Sequence, residues 1–386
     1  MPRFPQTAAA ISSMRGGVFS RLAHRIAAIE GEVYPLHVGD TWLEPWRGAR
    51  MQDLREEDHP GMHRYARPQG DGPLLDVLEA RYGVERKRIL VSAGGTGGLN
   101  AMAGALLEAG DEVLILSPYW PLISGIVRCA RGVAVEVPFF DVWSAGLSPD
   151  DQTRWIRDRI ESHITPRTVA IYVNTPNNPT GKVLDRVSLE AIAGVARSHG
   201  LWIWSDETYE RYAYARPHLS LGDVAPEQTF VVRSFSKTYG MAGNRCGTVV
   251  GPSDSDVMLE VRKISTHSFF CSPRGAQIAA ARVLEGGEDW VAPAREHYEA
   301  ACMSAAERLG EPAPEGGTFL FVDVAEHLDG GGLHDFLVRC IERGLILAPG
   351  SSCGASWGSH IRLCTTSAPP DVVARGVEQL AQLMGR

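Results

Sequence analysis

A chain of 386 residues, 44% hydrophobic and 22% charged, suffices for roughly two or three globular domains and excludes a disordered or fibrous protein. A formal charge of −8 without any basic run excludes the electrostatic footprint of a nucleic-acid binder. No apolar stretch has the length of a signal peptide or membrane span, and seven scattered cysteines fit reduced thiols better than disulfides or zinc. The expectation is a cytoplasmic protein with no metal site and no membrane partner.

In chain order, residues 18–30 place Phe19, Leu22, Ile26 and Ile29 on one helical face, and this helix is expected to pack on the C-terminal part. From residue 89, short apolar runs at 89–93, 112–117, 133–137, 168–173, 201–205, 230–234 and 246–250 alternate with helical stretches. That alternation predicts an α/β domain whose mainly parallel, seven-stranded sheet is covered by helices. Helices over 272–286 and 288–309 follow. Strands at 319–324, 345–349 and 360–364 then alternate with helices near 333–343 and 369–384, the pattern of a smaller α+β domain. The expected division is an arm over 1–44 that packs on the small domain, a large domain over 45–275 and a small domain over 276–386.

Four loops carry groups suited to chemistry. The glycine cluster 94–98 lies between a predicted strand and a predicted helix, where free N–H groups and the helix dipole favour an anion. By itself such a cluster is equally well a tight turn, and its spacing fits neither the dinucleotide fingerprint nor the P-loop. The segment 174–181 (NTPNNPTG) follows a buried strand and is dense in turn formers with amide groups. Residues 205–209 (SDETY) set a carboxylate at a strand end, where open α/β sheets bind ligands, although a lone acid there is commonly a helix cap. The segment 234–247 (SFSKTYGMAGNRCG) holds Lys237, one of only four lysines in the chain.

A lysine that is partly desolvated near cations becomes a nucleophile toward an aldehyde. Serines, an arginine and a helix start suit a phosphate; a carboxylate suits a pyridinium nitrogen; an amide and a phenol suit a phenolate oxygen. Pyridoxal 5′-phosphate has all four handles.

Over nearly its whole length, from the Gly39 loop to the Arg362 strand, the chain resembles the class I and II aminotransferases of the aspartate aminotransferase superfamily, fold type I of the pyridoxal phosphate enzymes. The resemblance rests on SFSKTYGMAGNRCG, NNPTG and SDETY in order and spacing, and departs from the usual pattern at Cys246. It implies that Lys237 forms the internal aldimine and moves the proton between Cα and C4′, and that Asp206 binds the ring nitrogen. It further implies that Asn178 and Tyr209 bond the ring's O3′, that Gly95, Thr96, Ser234, Ser236 and Arg245 hold the phosphate, and that Trp120 stacks on the pyridine face. Arg362 would grip the substrate α-carboxylate in a two-pronged bond, Asn178 would also touch substrate, and Gly39 would lie in the loop that closes over it. Tyr65 would reach the cofactor phosphate of a neighbouring subunit, so a homodimer is expected. Trp42 stands where relatives carry other residues and could line the side-chain pocket; Gly97 replaces a common Gln or Glu. His267 and Arg274 lie in a stretch where some relatives supply partner groups. The implied activity is transfer of an amino group from an L-amino acid to a 2-oxo acid. Elimination, replacement or cyclisation of an amino acid on the same scaffold is the alternative, since pocket residues decide the fate of the carbanion.

Overall fold

Runs such as Val113-Leu114-Ile115-Leu116 are buried on both faces, which only a sheet covered on each side can accommodate. The structure, a computed structural model, describes residues 22–140 and 146–386, with Ala8, Ile11 and Met14 ahead of them. Its strands are β1 (Tyr34–Pro35), β2 (Ile89–Ser92), β3 (Glu112–Ser117), β4 (Val133–Pro138), β5 (Thr168–Asn174), β6 (Trp202–Asp206), β7 (Thr229–Ser234), β8 (Gly247–Val250), β9 (Phe319–Asp323), β10 (Leu345–Ile346), β11 (Ala348–Pro349) and β12 (His360–Cys364).

The large sheet has seven strands in the order β2-β8-β7-β6-β5-β3-β4, with β8 antiparallel to both its neighbours and the remaining pairs parallel. Alternate residues feed opposite cores. Leu114, Leu116, Ile171, Val173 and Ile203 pack under the helices Pro149–Glu161 and Arg186–His199; Val113, Ile115, Trp204 and Val232 pack under Gly94–Leu106 and Val257–Ser268. The helix Arg186–His199 has local stop signals at both ends. The Asp185 carboxylate accepts the Ser188 N–H at 2.9 Å, and Gly200 closes the helix at φ +65°, a conformation that favours glycine.

A three-stranded antiparallel sheet, β11-β12-β9, and a parallel β1-β10 pair form beside it. Leu22, Tyr34 and Leu36 share a core with Leu320, Leu345, Leu363, Val377 and Leu380, and Ile26 and Ile29 pack against it. The first helix described is Ala23–Ala27, shorter than the sequence pattern suggests; Phe19 lies outside the described residues. The single run expected at 345–349 is two strands, because β10 pairs with β1 while β11 pairs with β12. Ala276, Ala279, Ala280 and Val283 pack with Leu74, Leu75 and Leu78 of the helix Gly72–Tyr82. The sequence boundary at 275/276 therefore falls where the helix Arg274–Gly286 enters a shared core.

Candidate active site

The parallel strands β3, β5, β6 and β7 all point their carboxyl ends to one edge of the sheet, and the helix Gly94–Leu106 starts there after β2. Close backbone packing builds the first part of the site. A Cβ on Gly247 would lie 2.7 Å from Gly94 C and Gly95 N, and one on Gly94 (φ +71°) would lie 2.5 Å from Arg245 Nη2. Only glycine permits this approach. It sets the helix start, whose first N–H groups have no intrahelical partner, against the Arg245 guanidinium. Ser234 caps the next turn: its Oγ accepts the Ser236 N–H at 3.2 Å and donates to Ser236 Oγ at 2.9 Å, and its Cβ lies 3.7 Å from the Cβ position of Gly95. Arg245 spends one donor on Ala242 O at 2.8 Å. Gly95, Ser234, Ser236 and Arg245 thus converge, with Thr96 next on the helix, as a concentration of donors and positive charge.

Asp206 ends β6 and is buried. It accepts from Tyr172 Oη at 2.8 Å, Thr208 Oγ1 at 2.7 Å and Thr208 N at 3.2 Å. Among the described residues it makes no ion pair, and burial raises its pKa against the pull of these donors. Asn174, paired in register with Asp206, donates to Asp206 O at 2.9 Å and accepts the Asn178 N–H at 2.7 Å, so one side chain fixes both loops. Tyr209, three residues further along the same loop, is buried edge-on to Phe319 with ring centroids 5.8 Å apart; burial pushes its phenol well up.

Lys237 lies in the short helix after β7, its carbonyl and that of Thr238 bound by the buried Tyr212 hydroxyl at 2.8 and 3.1 Å. Its Nζ donates to Gly39 O and lies 3.9 Å from Asp40 Oδ1. Desolvation lowers its pKa, with Asp40 opposing and Arg245 and Arg362 assisting, so its amine is neutral at a lower pH than an ordinary lysine. Gly39 is required by contact: a Cβ there would lie 2.6 Å from the Phe319 ring.

Arg362, on β12, is buried, and its guanidinium stands 4.6 Å from the Phe319 centroid. Nη1 donates to Asn178 Oδ1 at 2.9 Å and Nη2 to His37 O at 3.0 Å, while Nε has no partner. Burial, and then this guanidinium, lower the His37 pKa. The bond to Asn178 Oδ1 turns that amide's NH₂ away from Arg362. Trp120 is partly buried against the core of the sheet. Trp42 is 36% exposed, and its backbone N–H donates to Thr366 O at 2.8 Å.

Two expected residues lie apart from these contacts. Tyr65 is 83% exposed and packs edge-on to Phe270 at 5.0 Å, over a surface hollow of about 470 Å³ that Met51, Met62 and Arg274 also line. Arg274 is committed to Asp71 at 3.3 Å and Gly61 O at 2.8 Å. Sequence reasoning assigned no role to Tyr172, Thr208, Asp40 or Phe319. For Tyr172 the available signal was its place two residues before Asn174 on one face of β5.

Glu207 points away from Asp206 into a separate network. Fully buried, it pairs with Arg233 at 2.8 Å and His218 at 3.2 Å and accepts from Ser205 and Ser220 at 2.9 and 2.8 Å. Burial alone would raise its pKa, but Arg233 and His218 win and lower it to about 2. Glu210 is also near His218, but Arg233 bonds both carboxylates and supplies the charge a cation would. Arg233→Met should cost about 3–5 kcal/mol of stability in urea unfolding at pH 7, because Glu207 is left buried and unpaired. The native pair's contribution is present above the ordinary carboxylate pKa near 4.5 and is lost as pH falls toward 2, so the gap between variant and wild type should narrow in acid.

The family model for aminotransferase class I and II matches residues 33–380. The aspartate/prephenate aminotransferase of Thermus thermophilus is 33% identical over 342 residues, 84% of each chain, and the arginine–pyruvate transaminase of Pseudomonas aeruginosa is 29% identical over 78% of each. A solved structure of a Thermus thermophilus aspartate aminotransferase mutant superimposes with a TM-score of 0.87 at 27% identity, covering 98% of this chain and all of that one. The loops gathered at the sheet edge and these likenesses agree: the chain belongs to the class I and II aminotransferases.

Proposed function

We propose that this aminotransferase works with pyridoxal 5′-phosphate joined to Lys237. The observation that carries the reading is Asp206, a buried carboxylate without a cation among the described residues. Such a charge is costly alone, and a protonated ring nitrogen would compensate it. The other residues fit the same group: a desolvated amine at Lys237, and a cradle at Gly95, Thr96, Ser234, Ser236 and Arg245 in which a Cβ on Gly94 or Gly247 would clash. The chemistry such a cofactor supplies is an aldehyde carbon open to amines and a ring that delocalises the electron pair left on an amino acid's α-carbon.

The chain's own residues do the rest. Asp206 would hold a proton on the ring nitrogen, with Tyr172 and Thr208 keeping its carboxylate in place. Asn178 and Tyr209 would hold the ring's phenolic oxygen, and Trp120 would border the ring. With its amine free, Lys237 would take the proton from the substrate Cα and return it as general base and acid. Its lowered pKa leaves more of the amine neutral near pH 7–8 than an ordinary lysine would have. Arg362 binds the α-carboxylate through two N–H groups, and the Gly39 loop with Trp42 borders the substrate side chain. Relatives named for aspartate, prephenate and arginine favour transamination over elimination or cyclisation. Formation of pyridoxamine phosphate on mixing with an amino acid alone tests this; elimination would leave the aldehyde.

A homodimer with Tyr65 reaching the neighbouring cofactor phosphate accounts for the exposed Tyr65–Phe270 patch, which is costly to leave in water. Tyr65→Phe should then weaken cofactor retention without altering the sedimentation of the dimer. Seven free thiols fit a reducing cytoplasm.

Arg362→Ala is expected to raise the KM for amino acids about 30- to 100-fold, on the order of 2–3 kcal/mol for a charge-assisted pair, with cofactor affinity little changed. Arg362→Lys should recover only a small part, since an ammonium cannot reproduce the fork. Equal KM values in wild type and alanine variant would remove Arg362 from the site.

A further inference from the structure

We propose that Asp40 determines specificity at this site by repelling a second carboxylate, so that the enzyme takes amino acids with neutral or cationic side chains in preference to aspartate and glutamate. The inference rests on the transaminase reading above and adds the substrate class.

Three observations place the charge. First, Asp40 Oδ1 is 3.9 Å from Lys237 Nζ, and Nζ marks where the incoming amine must arrive, because the two amines exchange. The substrate side chain begins two bonds from that nitrogen and starts within a few ångströms of the carboxylate. Second, Asp40 is held. Its carbonyl accepts from Thr366 Oγ1 at 2.7 Å, the Trp42 N–H returns to Thr366 O at 2.8 Å, and its own Oδ1 accepts the Thr41 N–H at 2.9 Å. A fixed charge discriminates better than one that can swing into solvent. Third, the cations placed around the site are already engaged: Arg362 with Asn178 and His37 at one end, Arg245 beside the helix start, and Arg274 with Asp71 and Gly61. Among the described residues none of these three is free to neutralise a carboxylate at the end of a substrate side chain, whereas the carboxylate of Asp40, half exposed, stands beside the amine. Like charges about 6 Å apart at a partly solvated site differ from a neutral pair by a factor on the order of ten or more in binding.

The test compares isosteric donors, aspartate with asparagine and glutamate with glutamine, in the half-reaction of the holoenzyme. It also compares the binding of succinate with that of succinamate, followed by the visible absorption of the cofactor. Wild type should prefer the amide of each pair. In Asp40→Asn the preference should shift toward the acid by about tenfold or more in both measurements, while Asp40→Glu retains the wild-type preference. If Asp40 acts only on Lys237 or on the loop's stability, both members of each pair change together and the ratio stays fixed, which overturns the proposal; so does a wild type that prefers the acids. The two readings fail differently. If no amino acid converts the cofactor to its amine form, the transaminase reading falls and this inference with it. If neutral donors convert it and the ratio is unmoved, only the role of Asp40 falls.

Discussion

Lys237→Ala should lower amino transfer by at least about 10⁴-fold, the upper range for removing a group that acts as both general base and general acid, while the protein still folds and still takes up pyridoxal phosphate noncovalently. The reason lies in the position of the amine: desolvation lowers its pKa, so its lone pair is open to take a proton at a lower pH than an ordinary lysine's, and the Tyr212 hydroxyl fixes the backbone that carries it. No other lysine in the chain is placed to substitute, since Lys182 is tied to Glu315 and Lys87 and Lys263 pair with Glu85 and Glu260 on the surface. Borohydride reduction followed by peptide mass analysis checks the point directly. The added mass should sit on Lys237 in wild type and on no residue in the variant; full turnover by the variant would sink the assignment.

Asp206→Asn should lower turnover by about 10²–10⁴-fold, the range seen when electrostatic support is removed from a developing charge, and its effect on stability should run the other way. Burial raises the folded pKa of Asp206, so the folded protein binds this proton more tightly than the unfolded chain. The group therefore costs stability as pH rises from the unfolded value near 3.8 through the raised folded value. Above that window, cofactor-free Asp206→Asn should melt no lower than cofactor-free wild type, because the amide oxygen can still accept from Thr208 while its NH₂ donates to the Tyr172 oxygen. A calorimetric comparison at pH 8 measures it. A variant that lost both activity and several degrees of Tm would mark Asp206 as structural.

Much of the fold was legible because its signals are local. The run 112–117 is a strand to the residue, and the helix at 288–309 matches Glu288–Leu309. The break within 345–349 was not legible, since it depends on which partner each half finds: β1, some 310 residues earlier in the chain by the pairing of Tyr34 with Leu345, or β12. The motif loops were visible by composition, yet their supports were hidden. Tyr172 reads as one more apolar residue of β5 until the register of β5 on β6 brings its hydroxyl to Asp206. Asp40 reads as an ordinary loop acid, because the groups that give it meaning, Thr366 and Lys237, lie far along the sequence.

The bonds from Thr366 to Asp40 and Trp42 have a mechanical consequence. They join the Gly39 loop to the end of β12, the strand that carries Arg362, so the carboxylate fork and the loop above the reactive amine take their positions from one anchor, and a change at Thr366 alone would disturb both.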